Sequence, residues 1–330
     1  MEWTRRRVLA AGLGGTAAVG TGRAIHNVVL GYGRLTGTNL LEQDLDPLML
    51  ANLRPSRDRV ADFDGARITL SDWTVRLRAD GSTRHTFDPG TDDPADAAAV
   101  DEDFGLEGGP LEELVADLGA LAAEDVRFEY DSYPAFFERV AGGDARPYAV
   151  QALRGPRSGD PTVVADFAGA DPTDPESLVE GLKDGFREHT RYDYARYAAG
   201  SVEDNVIFGA RDLRQHFESE TGFEALEAGE DSGLFCTELT RRSVDALQAV
   251  PAPNQRLPVV AGRVYNGRHK HVFTVVASAI RDAGELVIPV TFLDYTDAVQ
   301  YDDLRLRWLV GEGLDAYHDT QRATRITWYR

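Results

Sequence analysis

The chain has 330 residues, 42% of them hydrophobic, which suits one large domain or two ordinary ones and excludes whole-chain disorder. With 55 acidic residues against 35 basic ones, a net charge of −20, and lysine only at Lys183 and Lys270, the surface is solvated and self-repelling, with no basic stripe for nucleic acid outside the N-terminus. The single cysteine excludes an intrachain disulfide and a Cys-rich zinc site.

Residues 1–38 read as an export signal or tether followed by a linker. Thr4-Arg5-Arg6-Arg7-Val8-Leu9 is a twin-arginine pattern, and Ala10 to Gly22 is uncharged and rich in Gly and Ala. That run is too short and too weakly apolar for a membrane-spanning helix, which needs about 20 apolar residues. Gly12-Leu13-Gly14-Gly15 follows no strand, so it is not a nucleotide loop. The expected location is extracytoplasmic, secreted or at the cell surface, with a peripheral or N-terminal membrane tether as the alternative to cleavage.

Residues 39–170 form a mixed α/β region in this reading. Leu40 to Leu53 predicts a short helix closed by Pro55. Between Asp62 and Thr86 two runs alternate in the strand manner, and Ala79-Asp80-Gly81-Ser82 is a hairpin turn. Asp88 to Gly109 is acidic and broken by Pro and Gly, and reads as an exposed loop. Pro110 opens a helix over Leu111 to Ala123, with Leu111, Leu114, Leu118 and Leu121 on one face. Val126 to Tyr130 reads as a strand, and Tyr133 to Val140 as a helix ended by Gly142-Gly143. Tyr148 to Leu153 and Thr162 to Phe167 read as a strand pair around Gly155-Pro156-Arg157-Ser158-Gly159.

Ala170-Asp171-Pro172-Thr173-Asp174-Pro175 marks a boundary, and residues 171–330 form the second domain. A helix runs from Glu176 to Thr190 with Leu178, Leu182 and Phe186 inward. Ala210 to Phe217 is helical in pattern. A turn at Glu230-Asp231-Ser232-Gly233 precedes Cys236, and Leu239, Val244, Leu247 and Val250 continue as a helix closed by Pro251 and Pro253. Three strands follow: Leu257 to Tyr265, Lys270 to Ala279 and Leu286 to Leu293. Asn266-Gly267 and Asp282-Ala283-Gly284-Glu285 are their turns. Leu304 to Tyr317 predicts a helix and Arg325 to Tyr329 a last strand.

Cys236 therefore sits in the first turn of a helix, where the dipole and outward-pointing N–H groups favour a thiolate. His271 opens one strand and Asp294 closes a later one, so an antiparallel sheet brings them to the same edge. Cys, His and Asp in that order are a cysteine-nucleophile arrangement. Cys236 is the nucleophile, His271 the base and proton donor, Asp294 the residue that orients the imidazole, and the Cys236 backbone N–H an oxyanion donor. A small buried core cysteine is the plain alternative.

Gly233-Leu234-Phe235-Cys236, His271-Val272-Phe273-Thr274-Val275 and Asp294-Tyr295-Thr296 together resemble the transglutaminase-like superfamily, whose fold is related to papain-like cysteine proteases. The upstream Phe186-Arg187-Glu188-His189-Thr190-Arg191-Tyr192-Asp193-Tyr194 resembles the helix end that often precedes the cysteine in that family. The family pattern differs in having one residue between Gly and Cys, Trp where Phe273 stands, and Pro where Tyr295 stands. The resemblance covers residues 176 to 298. It implies an α+β fold with the Cys helix packed on an antiparallel sheet, and a Cys-His-Asp triad without a cofactor. The substrate it implies is a peptide or protein amide. The acid-rich, Lys-poor composition is similar to that of proteins from salt-loving archaea. Where lysine is scarce as an acyl acceptor, hydrolysis is favoured over transamidation.

Rivals to these roles exist in the sequence. His269 shares a strand face with His271 and competes as the base. Asp297 and Asp302 compete as the acid. Cys236, His269, His271 and Asp294 are also zinc-ligand types, and the run Asp294 to Asp303 is acidic enough for calcium but lacks an EF-hand pattern. A non-catalytic cell-surface binding or scaffold module on the same fold is the alternative function.

Overall fold

Aspartate followed by proline marks several helix starts in this chain, and these signals explain where the observed elements differ from expectation. The computed structural model describes residues 43–56, 58–193, 222–228, 233–267, 271–300 and 321–328. The twin-arginine segment, the helical patterns at 210–217 and 304–317, most of the turn before Cys236, His269 and Asp302 lie outside the described residues.

In chain order, helix α1 (Asp46–Leu50) precedes a four-stranded antiparallel meander, β1 (Arg59–Phe63), β2 (Ala66–Ser71), β3 (Thr74–Ala79) and β4 (Ser82–Phe87). Asp80 (φ 50°) and Gly81 (φ 75°) form the β3–β4 turn, as the sequence predicts. The expected loop from Asp88 to Gly109 is instead interrupted by helix α2 (Pro94–Phe104). Asp93 accepts the Ala95 N–H at 2.9 Å, Pro94 takes the first helical position, and Gly105 ends the helix at φ 63°. Ala97 and Val100 are buried, so this acidic helix still has an inner face.

Helix α3 (Pro110–Ala122), strand β5 (Val126–Tyr130) and helix α4 (Tyr133–Gly142) lie where expected. Next come the two-residue β6 (Asp144–Ala145), α5 (Pro147–Leu153) and α6 (Pro161–Ala168). The expected strand pair at Tyr148–Leu153 and Thr162–Phe167 is thus two helices. Both are short apolar runs whose periodicity does not separate strand from helix, and the deciding signals are local. Pro147 and Pro161 stand at the helix starts, and Asp160 accepts the N–H groups of Thr162 (2.9 Å) and Val163 (3.2 Å).

The remaining elements are α7 (Pro175–His189), β7 (Arg191–Tyr192), α8 (Phe223–Glu227), β8 (Gly233–Leu234) and α9 (Cys236–Leu247). A 3-10 turn (Ala252–Asn254) leads to β9 (Val260–Asn266), β10 (His271–Ala277), β11 (Ile280–Asp282), β12 (Glu285–Leu293), α10 (Tyr295–Gln300) and β13 (Arg325–Thr327). The fold is α+β, with mostly antiparallel sheets.

The main sheet has seven strands in the order β13-β9-β10-β12-β11-β6, with β5 parallel to β12 on the edge that β10 and β11 leave open. β5 and β6 come from before residue 170. The sheet therefore crosses the boundary that the Pro-rich 170–175 segment suggests. Strand alternation divides the core in two. Phe273, Val275 and Ala277 of β10 join Leu286, Ile288, Val290 and Phe292 of β12 against the small sheet and α3. Val276 and Leu293 face the opposite way, into a cluster with Phe186 of α7 and Leu239, Val244 and Leu247 of α9.

Candidate active site

The start of α9 is fixed from the chain before it. β7 and β8 pair in parallel, Arg191 opposite Gly233 and Tyr192 opposite Leu234, and the Asp193 N–H donates to the Leu234 carbonyl at 2.9 Å. Phe235 is the N-cap residue in extended conformation, and Cys236 is the first helical residue. A phenyl ring accepts no hydrogen bond, so the N-cap residue's own side chain does not cap this helix start. The Glu238 carboxylate reaches back to the Phe235 N–H at 3.2 Å, outside the helix proper. The first-turn N–H groups and the positive end of the dipole are thereby directed at whatever lies beside Cys236.

His271 and Asp294 come from strand ends. The β10–β12 ladder pairs Thr274 with Leu293, which places the start of β10 beside the end of β12. His271 Nε2 and Asp294 Oδ2 are 2.5 Å apart. Asp294 is 2% exposed, and its other oxygen accepts the Thr296 N–H at 3.0 Å at the start of α10. Both carboxylate oxygens are occupied, which fixes the carboxylate plane. The imidazole stacks on the Phe273 ring at 5.9 Å between centroids. Tyr295, next to Asp294, is buried against Phe186 of α7, at 5.2 Å between ring centroids.

The Cys236 side chain lies close enough to the His271 ring to interact with it. With Nε2 committed to Asp294, Nδ1 is the nitrogen left for sulfur. Burial works to lower the His271 pKa. The Asp294 charge and hydrogen bond, followed by the hydrogen bond and charge of Cys236, outweigh it and hold the pKa well above the usual imidazole value. An imidazolium braced between a carboxylate and a sulfur is the state this geometry favours. Cys236 is 2% exposed, whereas the His271 side chain keeps 19%.

Cys236, His271 and Asp294, chosen from sequence, are thus brought together. Asp297 lies on α10, but its side chain is outside what is described, as are His269 and Asp302 altogether. Among the described residues no group of three His, Cys, Asp or Glu side chains is placed to hold a metal ion.

Three residues beside the triad escape the sequence reading. Thr240 and Ser243 of α9 and Thr274 of β10 are 3%, 0% and 0% exposed, yet polar. A signal was present. Positions 236, 240, 243 and 247 fall on one helical stripe, so two hydroxyls stand on the inward face that Cys236 begins.

Comparison with protein-family models, with curated proteins and with solved structures finds no match for this chain.

Proposed function

We propose that this protein is a cysteine-nucleophile enzyme of transglutaminase-like type that hydrolyses an amide or peptide bond. The observation that carries the reading is the His271–Asp294 pair, Nε2–Oδ2 at 2.5 Å, with the Cys236 side chain close enough to interact with the His271 ring. The Cys236 thiolate attacks the carbonyl carbon, and the oxyanion that forms meets the Cys236 backbone N–H at the start of α9. The His271 imidazolium gives its proton to the leaving amine as the C–N bond breaks, which leaves a thioester on sulfur. His271, now neutral, takes a proton from water, whose oxygen attacks the thioester. The C–S bond breaks, and a carboxylic acid and the free thiol result. Asp294 orients the ring throughout and stabilises its charged form.

The same reading makes the protein extracytoplasmic, sent out by the twin-arginine pathway through Arg5-Arg6-Arg7, and adapted by its acidic surface to high salt. Among the described residues no helix is long and apolar enough to cross a membrane. The scarcity of lysine supports water rather than an amine as acyl acceptor. The burial of Cys236 favours a second reading, a non-catalytic surface module that keeps the frame for shape alone.

Alkylation separates the two. The native protein is treated with iodoacetamide at neutral pH and its intact mass followed in time. A single stoichiometric adduct on Cys236, suppressed in His271→Gln, supports the enzyme. A thiol that reacts only after unfolding, or equally fast without His271, overturns it.

A further inference from the structure

The nucleophile and its base lie on different elements, so their meeting depends on how α9 is seated along β10. Hydrophobic contact alone is non-directional and sets that seating loosely. Between these two elements, however, lies a buried lattice of hydroxyls. Thr240 Oγ1 donates to the Val272 carbonyl at 3.3 Å. Ser243 Oγ donates to the Thr240 carbonyl at 2.8 Å and lies 2.5 Å from Thr274 Oγ1. A serine hydroxyl has one proton. With that proton on the Thr240 carbonyl, Thr274 is the donor to Ser243. The direction of the chain is therefore fixed: strand hydroxyl to helix hydroxyl to helix carbonyl, with a helix hydroxyl returning to a strand carbonyl.

These bonds follow the site in step. Thr240 meets Val272 and Ser243 meets Thr274, and Cys236 and His271 are the first residues of the same helix and strand. From Cys236 to Ser243 the helix advances about 10.5 Å. From His271 to Thr274 the strand advances about 10 Å. Measured from Cys236 and His271, helix and strand reach the Ser243–Thr274 contact over nearly equal lengths. A slide of either one would break hydroxyl bonds that no water replaces at these buried positions.

We infer that Ser243, Thr274 and Thr240 form a register lock that seats the Cys236 helix on the His271 strand. They are positioning residues and touch no substrate. The inference rests on the reading of Cys236 and His271 as a reactive pair.

The test uses the full chain and the iodoacetamide reaction of Cys236, followed as rate against pH, together with the thermal midpoint. Thr274→Val keeps the side chain's shape and removes the hydroxyl. Its alkylation rate at neutral pH falls about tenfold or more, the scale on which small misplacements of reacting groups act, and its pH profile shifts. Thr274→Ser restores both. The double variant Ser243→Ala/Thr274→Val removes both partners and leaves neither hydroxyl stranded, so it stays folded and shows the same loss of reactivity. If Thr274→Val or the double variant lowers only the midpoint and keeps the wild-type rate and profile, the hydroxyls are structural and the register lock is overturned. Failure of Thr274→Ser to restore the rate overturns it as well. A wild-type thiol with no His271-dependent profile is a different failure, that of the reactive pair itself.

Discussion

Two regions of this molecule bury carboxylates at helix starts, and they treat the helix in opposite ways. In the N-terminal half, Asp101 is 5% exposed and accepts the N–H groups of Leu111 (3.0 Å) and Glu112 (2.9 Å) at the start of α3. Glu113 is 3% exposed and accepts the Ala149 N–H (2.8 Å) in the first turn of α5. At α9 the N-cap is Phe235, the Glu238 carboxylate turns back to the Phe235 N–H, and the buried Asp294 is shared between an imidazole and the Thr296 N–H of α10. A carboxylate spent on backbone N–H groups closes a helix end and stabilises it. A carboxylate spent on His271 leaves the helix end beside Cys236 for the thiol. On the proposed reading, the same buried chemistry serves packing in one region and reactivity in the other.

Removing the base tests the contrast most severely. His271→Gln is expected to slow alkylation of Cys236 at pH 7 on the order of 10²-fold, the lower range of general acid–base effects. An intact-mass time course reads it directly, and an unchanged rate breaks the comparison at its functional end. Asp294→Asn comes next. An asparagine oxygen can still accept the Thr296 N–H, but the charge that holds His271 protonated is gone. The rate should fall at pH 7, by less than in His271→Gln, because the imidazole remains and only its orientation and charge stabilisation are lost. A rate profile that keeps its wild-type position would show that Asp294 only props the loop.

Asp101→Ala addresses the other region. A buried and a half-buried N–H group lose their acceptor, and the expected loss is about 2 kcal/mol of unfolding free energy with the alkylation rate of Cys236 unchanged. Chemical denaturation measures it. A loss of thiol reactivity in this variant would mean that the two regions are not independent, which the shared sheet makes a real question.

The two regions were also unequally legible. Around the site the signals are short-range and strong: a lone cysteine before a helical pattern, Asn-Gly between two strand runs, a histidine and an aspartate at strand ends. Each survives because hairpin neighbours in sequence are neighbours in the sheet. β5 pairs with β12 across roughly half the length of the chain, and no local pattern announces a partner at that separation. In the N-terminal half the acidic run hid α2, and the largely apolar runs at Ala149–Leu153 and Val163–Phe167 imitated strands. The Asp-Pro pairs at 93–94 and 160–161 carried the correct information and were outweighed by composition. Ser243 and Thr274 look like ordinary polar residues until the helix and the strand are laid together.

Proton linkage distinguishes the regions within a single measurement. Glu113 has its pKa raised from 4.5 to about 8, chiefly by burial, and Asp117 adds to the rise, against the N–H groups of Ala149 and Tyr148 and the charge of Arg146. The folded state therefore keeps that proton while the unfolded chain releases it, and stability falls as pH climbs from about 4.5 to about 8. His271 has the same sign in a later window. Its stabilising contribution is complete below 6.5 and is lost as pH rises through a folded-state pKa held well above that value. At constant ionic strength, Glu113→Gln should flatten the acid-side slope and leave the alkaline one. His271→Gln should do the reverse. Between 6.5 and about 8 the two slopes overlap and each variant removes only part of the decline. One variant that flattens the whole curve would mean that the carboxylate of α3 and the imidazole of β10 titrate as one system, and the division between packing and reactivity would have to be redrawn.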